Sequence, residues 1–165
     1  MNLIVRDEDA ITMMNTLARQ CDVEHLILNV DIQNRQHLFD TVGKYLHLHH
    51  GWSAAEIANR LGEREKLGST GLGQGVAIPH ARLAGLQAPV AILVRPALPI
   101  PFDAPDSKPV GLFFILLVPE RASQQHLQRL ADAARLLNER GVRESLHTCA
   151  TAHEMRRVLL DWSQS

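Results

Sequence analysis

Arg64-Glu65-Lys66-Leu67-Gly68-Ser69-Thr70-Gly71-Leu72-Gly73-Gln74-Gly75-Val76-Ala77-Ile78-Pro79-His80 sets one histidine at the end of a glycine-punctuated turn. Gly68, Gly71, Gly73 and Gly75 free the backbone for positive φ and close approach to a bound group, while Pro79 fixes the approach into His80. Val76-Ala77-Ile78 reads as a short strand ending at Pro79. The stretch is therefore a strand-end turn that faces an anion, with an imidazole at its lip.

Outward from this turn, helix and strand signals alternate. Upstream, Leu26 to Val30 is a strand candidate, and Leu38, Val42, Tyr45 and Leu46 give one apolar helix face that begins after Asn34 and stops at Gly51. Ser53 and Glu56 form a capping-box pattern for a second helix from Ala54 towards Glu65, with Ile57, Ala58 and Leu61 inward and Gly62 weakening its last turns. Downstream, Val90 to Val94 and Val110 to Val118 are strands, the second being the longest and most central. Pro96, Pro99, Pro101 and Pro105 stiffen a surface loop between them. After Pro119, Ser123 can cap a helix with a stripe of Leu127, Leu130, Ala131, Ala134 and Leu137 that ends at Gly141, and a last helix runs from Ala152 to Trp162. The expectation is an α/β domain: a mixed β-sheet flanked by helices on both faces. It spans residues 23–165, behind an N-terminal extension of residues 1–22 with a possible helix after Asp9.

Composition narrows the function. A chain of 165 residues with 45% hydrophobic content suits one domain burying roughly 70% of its unfolded surface. A net charge of −1 and a pI near 6.7 supply no basic field for a polyanion, which argues against nucleic-acid binding. Cys21 and Cys149 lie too far apart in sequence for a disulfide framework or metal spacing, so a reducing, cytoplasmic location is expected. The apolar run Val110 to Val118 is about half of what a membrane-spanning helix needs, and the opening residues lack a signal-peptide core, so neither membrane insertion nor export is expected.

Nucleotide sites fail on spacing. After Gly68 and Gly73 comes Gln74 where a Walker A loop needs lysine, and Val76 stands where the dinucleotide fingerprint needs its third glycine. What remains is His80, with Arg64 as a planar fork of donors for phosphate oxygens and Ser69, Thr70 and Gly71 as expected phosphoryl-binding residues of the turn. A neutral imidazole has a lone pair for attack, so nucleophile plus anion clamp suggests phosphoryl transfer; the plain alternative is a strand-end histidine bonded to backbone. His126 falls in the first turn of the helix after Ser123, where amides attract anions and an imidazole stays neutral; it reads equally as a surface histidine. His47, His49 and His50 invite a zinc hypothesis, but without a supporting cysteine or carboxylate they read as helix C-terminal dipole partners, and no metal is expected. Arg156-Arg157 reads as a solvated helix face.

These residues resemble the IIA domains of the bacterial phosphoenolpyruvate-dependent phosphotransferase system, mannitol/fructose type, most closely the nitrogen-regulatory branch. The likeness rests on Arg64 to Gly71, Gly75 to His80, Phe102-Asp103-Ala104, Leu117-Val118-Pro119-Glu120 and His126-Leu127, and covers roughly Leu26 to Trp162. It implies a phosphoryl group accepted on His80 from an HPr-like phosphocarrier, with Arg64 and His126 around the imidazole and no cofactor. It further implies regulatory targets such as potassium-transport or sensor-kinase proteins. Two features depart from the family pattern: residues 1–22, and Ala81-Arg82 where many relatives carry Gly-Lys. Two other functions compete: a sugar-specific IIA component passing the phosphoryl group to a IIB partner, and a degenerate anion- or partner-binding sensor. The presence of both His80 and His126 counts against the latter.

Overall fold

The structure is a computed structural model that describes residues 25–121 and 123–161, with all of their side chains except those of His126 and Leu127. The extension over residues 1–22, with its expected helix, lies outside the described residues. So does Trp162.

Among the described residues, six strands and five helices follow one another as β1 (Leu26–Val30), α1 (Arg35–His50), α2 (Ala54–Leu67), β2 (Gly71–Gly73), β3 (Val76–Ala77), β4 (His80–Leu83), β5 (Val90–Pro96), β6 (Leu112–Pro119), α3 (Gln124–Asn138), α4 (Arg140–Thr148) and α5 (Ala152–Asp161). The strands form one sheet in the order β1-β5-β6-β3-β2, with β4 also pairing β6. It is mixed: β1 runs parallel to β5, β5 antiparallel to β6, and both β3 and β4 parallel to β6.

β6 explains the two-sided core. Its unbroken apolar run is the mark of a strand buried on both faces. Phe113, Ile115 and Leu117 enter the cluster under α1 and α2, while Leu112, Phe114, Leu116 and Val118 enter the cluster under α3, α4 and α5. The period-2 alternation of a strand thus deals neighbouring residues to separate cores. Helices cover both faces, as the sequence predicts.

Local chemistry sets the helix ends. The Asn34 side chain accepts from the His37 amide and the Ser53 hydroxyl accepts from Glu56, while Gly51 closes α1 at φ 75°. His47 Nδ1 meets the Trp52 carbonyl at 2.8 Å, and His50 stacks on the Trp52 ring. Two of the terminal histidines therefore fasten the α1–α2 turn.

Three sequence expectations need correction. The strand expected to end at Pro79 resumes at once: β3 pairs with Leu112 and Phe113, and β4 pairs with Leu116 to Pro119 along the same side of β6. Ile78-Pro79 is only the interruption, because proline has no N–H to give a ladder. His80 therefore opens a strand. The helix expected to reach Gly141 stops at Asn138, and Gly141 lies in the first turn of the unforeseen α4. The α3 stripe is also rotated, with Ala133, Leu136 and Leu137 buried and Ala131 exposed.

Two glycines of the α1–α2 hairpin should respond oppositely to alanine. A Cβ on Gly43 would clash with the Ala54 carbonyl, whereas one on Gly62 meets nothing within 4 Å. Gly43→Ala is expected to destabilise by about 1–3 kcal/mol through overpacking, and Gly62→Ala to stabilise by roughly 0.5–1 kcal/mol through helix propensity. Urea unfolding of both variants checks the pair; equal signs would refute the packing account.

Candidate functional site

His80 sits at the edge of the sheet: among the described residues, β4 pairs only with β6. The alternation of faces carries through the interruption. Ala77, Ala81 and Leu83 enter the α1–α2 core and Val76 and Ile78 the opposite one, so His80 and Arg82 fall on the α3 side. From the other side α2 reaches over the edge with Arg64 in its last turn. The imidazole is thus flanked from both layers.

The hydrogen bonds fix its tautomer. Arg64 Nε–H donates to His80 Nε2 at 3.2 Å, and a guanidinium has only donors, so Nε2 carries the lone pair. The proton is then on Nδ1, which donates to the Ile78 carbonyl at 2.9 Å. Arg64 Nη1 donates to the Gly68 carbonyl at 3.0 Å, which spreads the guanidinium between the turn and the imidazole. Burial is the main force holding His80 below the ordinary histidine value of 6.5, and Arg64 pushes the same way. The Ile78 hydrogen bond and the Glu65 charge oppose them. The net result is a neutral imidazole with its nucleophilic nitrogen turned to a fixed cation.

A cleft of about 570 Å³ opens beside His80, lined by Arg60, Glu63, Arg64 and Arg82 together with Leu67, Val118 and Leu130. Arg82 donates to the Glu120 carbonyl at 3.2 Å, and Arg60 approaches the Glu120 carboxylate at 4.0 Å. Leu67 is 84% exposed at the cleft's rim. The lining thus combines three arginines, one of them paired with the Glu120 carboxylate, with Glu63 and an apolar floor.

The turn residues are occupied elsewhere. The Thr70 side chain is buried and its hydroxyl donates to Glu65, while the Ser69 hydroxyl donates to the Phe102 carbonyl and accepts from the Gly71 amide. A Cβ on Gly71 would press on Ala104 at 3.0 Å, so the Phe102-Asp103-Ala104 loop packs where a side chain would be. These contacts tie Ser69, Thr70 and Gly71 into the turn. Sequence reasoning passed over Glu65, yet it follows Leu61 by four positions on the buried stripe of α2, and a carboxylate on an apolar stripe is itself a signal. His126 lies in the first turn of α3, and its side chain is outside the described residues. No group of three or more His, Cys, Asp or Glu among the described residues is placed to hold a metal ion. No helix among them is long and apolar enough to cross a membrane.

An open mixed sheet between two helical layers is the fold this chain shares with phosphotransferase-system IIA proteins. The sequence model of the family "Phosphoenolpyruvate-dependent sugar phosphotransferase system, EIIA 2" matches residues 19–162, and the chain belongs to that family. It is 44% identical over 110 residues to a nitrogen regulatory protein of Pseudomonas aeruginosa, covering 67% of this chain and 71% of the relative. Its fold matches the nitrogen regulatory protein IIA-Ntr of Neisseria meningitidis with a TM-score of 0.82 at 42% identity, over 87% of this chain and 99% of the other. The mannitol IIA of Escherichia coli shares the fold at a TM-score of 0.69 and 17% identity, over 84% and 97% of the two chains.

Because His80 titrates below 6.5 when folded and near 6.5 when unfolded, the unfolded chain binds more protons between those values. The stability this site contributes is full above pH 6.5 and is lost as pH falls through the folded value. An NMR titration of the imidazole is expected to give a midpoint below 6.5, moving upward in Arg64→Gln as one repelling charge goes. A wild-type midpoint above 6.5, or a downward move, would contradict this electrostatic picture.

Proposed function

We propose that this chain is a nitrogen-regulatory phosphotransferase-system IIA protein of the cytoplasm. In this reading it accepts a phosphoryl group on His80 from an HPr-like phosphocarrier and regulates partner proteins by its phosphorylation state, potassium-transport and sensor-kinase proteins among them. The observation that carries the proposal is the bare Nε2 of a neutral His80 beside Arg64. The names of the similar proteins support the nitrogen-regulatory branch.

In the transfer, the His80 Nε2 lone pair forms a new P–N bond in line as the donor's P–N bond breaks, and the donor imidazole keeps that electron pair. The transition state is loose, with its charge on the equatorial oxygens. Arg64 must leave the lone pair before attack, and the nearest place for its donors is the incoming phosphoryl oxygens. Positive charge developing on the His80 ring is met at Nδ1–H by the Ile78 carbonyl. His126 is the second expected partner of the phosphoryl group. Two facts support it: His80 falls on the α3 side of the sheet, and Leu130, four positions after His126, lines the cleft. Once formed, phosphohistidine places up to roughly −2 of charge on the cleft, enough to make or break a protein contact.

Incubation with phosphoenolpyruvate and the general phosphotransferase proteins is expected to add one acid-labile phosphoryl group by intact mass, and none to His80→Ala. Arg64→Ala should slow labelling about a hundredfold, the scale for loss of one preorganised charge-stabilising donor. An unlabelled wild type refutes phosphoryl acceptance. Efficient passage of the label to a sugar-specific IIB partner reassigns the chain to sugar transport.

A further inference from the structure

We propose that Glu65 is a positioning residue for the acceptor histidine: its carboxylate locks Thr70 and, through Thr70 and Ile78, fixes which imidazole nitrogen is left bare. This rests on His80 being the phosphoryl acceptor.

Arg64 and Glu65 are consecutive on α2, and successive helical side chains diverge by about 100°. Arg64 accordingly reaches His80, while Glu65 turns into the buried stripe with Ile57, Ala58 and Leu61 and is only 4% exposed. A carboxylate so buried needs donors. It takes two from one residue: the Thr70 amide at 2.9 Å and the Thr70 hydroxyl at 2.8 Å. Thr70, itself 7% exposed, is held at both backbone and side chain. Its carbonyl accepts the Ile78 amide at 3.0 Å, and the Ile78 carbonyl accepts His80 Nδ1–H at 2.9 Å. Two residues, Thr70 and Ile78, thus connect a buried carboxylate to the imidazole.

The consequence is chemical. Two contacts hold the proton on Nδ1: Arg64 donating to Nε2, and the Ile78 carbonyl accepting at Nδ1. If the turn slips, the two neutral tautomers become closer in energy, and the fraction with a lone pair on Nε2 falls. Glu65 also acts through its charge, since it opposes the burial and the Arg64 repulsion that lower His80 basicity. Arg64 and Glu65 of α2 are the charges acting on the ring, with Arg60 and Glu63 of α2 and Arg82 of β4 further along the cleft. The arrangement orients a histidine from behind with a carboxylate, but uses a threonine and two backbone carbonyls as the intervening parts.

The experiment uses the full chain labelled with ¹⁵N-histidine, as wild type, Glu65→Gln, Thr70→Val and Thr70→Ser, each checked for folding by its amide spectrum. Wild type and Thr70→Ser are expected to show a protonated Nδ1 and a bare Nε2. Glu65→Gln is expected to show mixed tautomers and a lower titration midpoint, because the supporting charge is gone. Thr70→Val should show mixed tautomers with a smaller change in midpoint, because the charge remains. Phosphoryl transfer to Glu65→Gln should fall roughly tenfold or more, with the acid limb moved to lower pH and KM for the carrier protein unchanged. A folded Glu65→Gln with wild-type tautomer and midpoint overturns the proposal, as does Thr70→Val with the wild-type tautomer. Should Glu65→Gln fail to fold, Thr70→Val decides. The spectra need no phosphoryl donor, so a wild type that takes no label defeats the functional reading and leaves the tautomer result standing.

Discussion

The fold hangs on β6 and on the fact that both of its faces are dry. Eight consecutive residues, Leu112 to Pro119, pair with β5 on one side and with β3 and β4 in tandem on the other. Because successive side chains enter opposite cores, neither helical layer can be built without the other, and the strand has no solvent-facing register into which to slip. The tandem pairing also sets the site. One side of β6 is shared by two short strands, and the break between them, Ile78-Pro79, falls just before the histidine.

That break does two things at once. Proline withholds a ladder donor, and the carbonyl of the preceding residue is taken by the imidazole instead of by a neighbouring strand. A residue two positions before His80 therefore sets its protonation pattern, while a residue sixteen positions before it, on α2, supplies the facing cation. Arg64 would not meet the ring without the sheet edge that brings α2 and β4 together.

Most of this architecture was legible in the sequence where one signal dominated. Asn34, Gly51 and Ser53 announced their caps, and the run ending at Val118 announced a strand buried on both faces. The Arg64–His80 pairing was reached from chemistry and from the family likeness alike. What escaped has a common cause: it depended on long-range pairing. β4 is four residues of His-Ala-Arg-Leu whose strand character comes from lying beside β6, not from its own propensity. α4 contains a glycine that reads as a stop, yet its Val142 and Leu146 are buried against the sheet. Nor can sequence show the partners that the hydroxyls of Ser69 and Thr70 find inside the protein, the Phe102 carbonyl and Glu65.

The placement of the histidine on an edge strand has a cost in solubility that the same residues contain. An unpaired strand edge is a template on which another chain can add a strand. Here that edge is four residues long, carries Arg82 within it and has the last turn of α2 reaching over its first residue. The short, charged strand that leaves the imidazole accessible to a partner is for the same reasons a poor seed for aggregation.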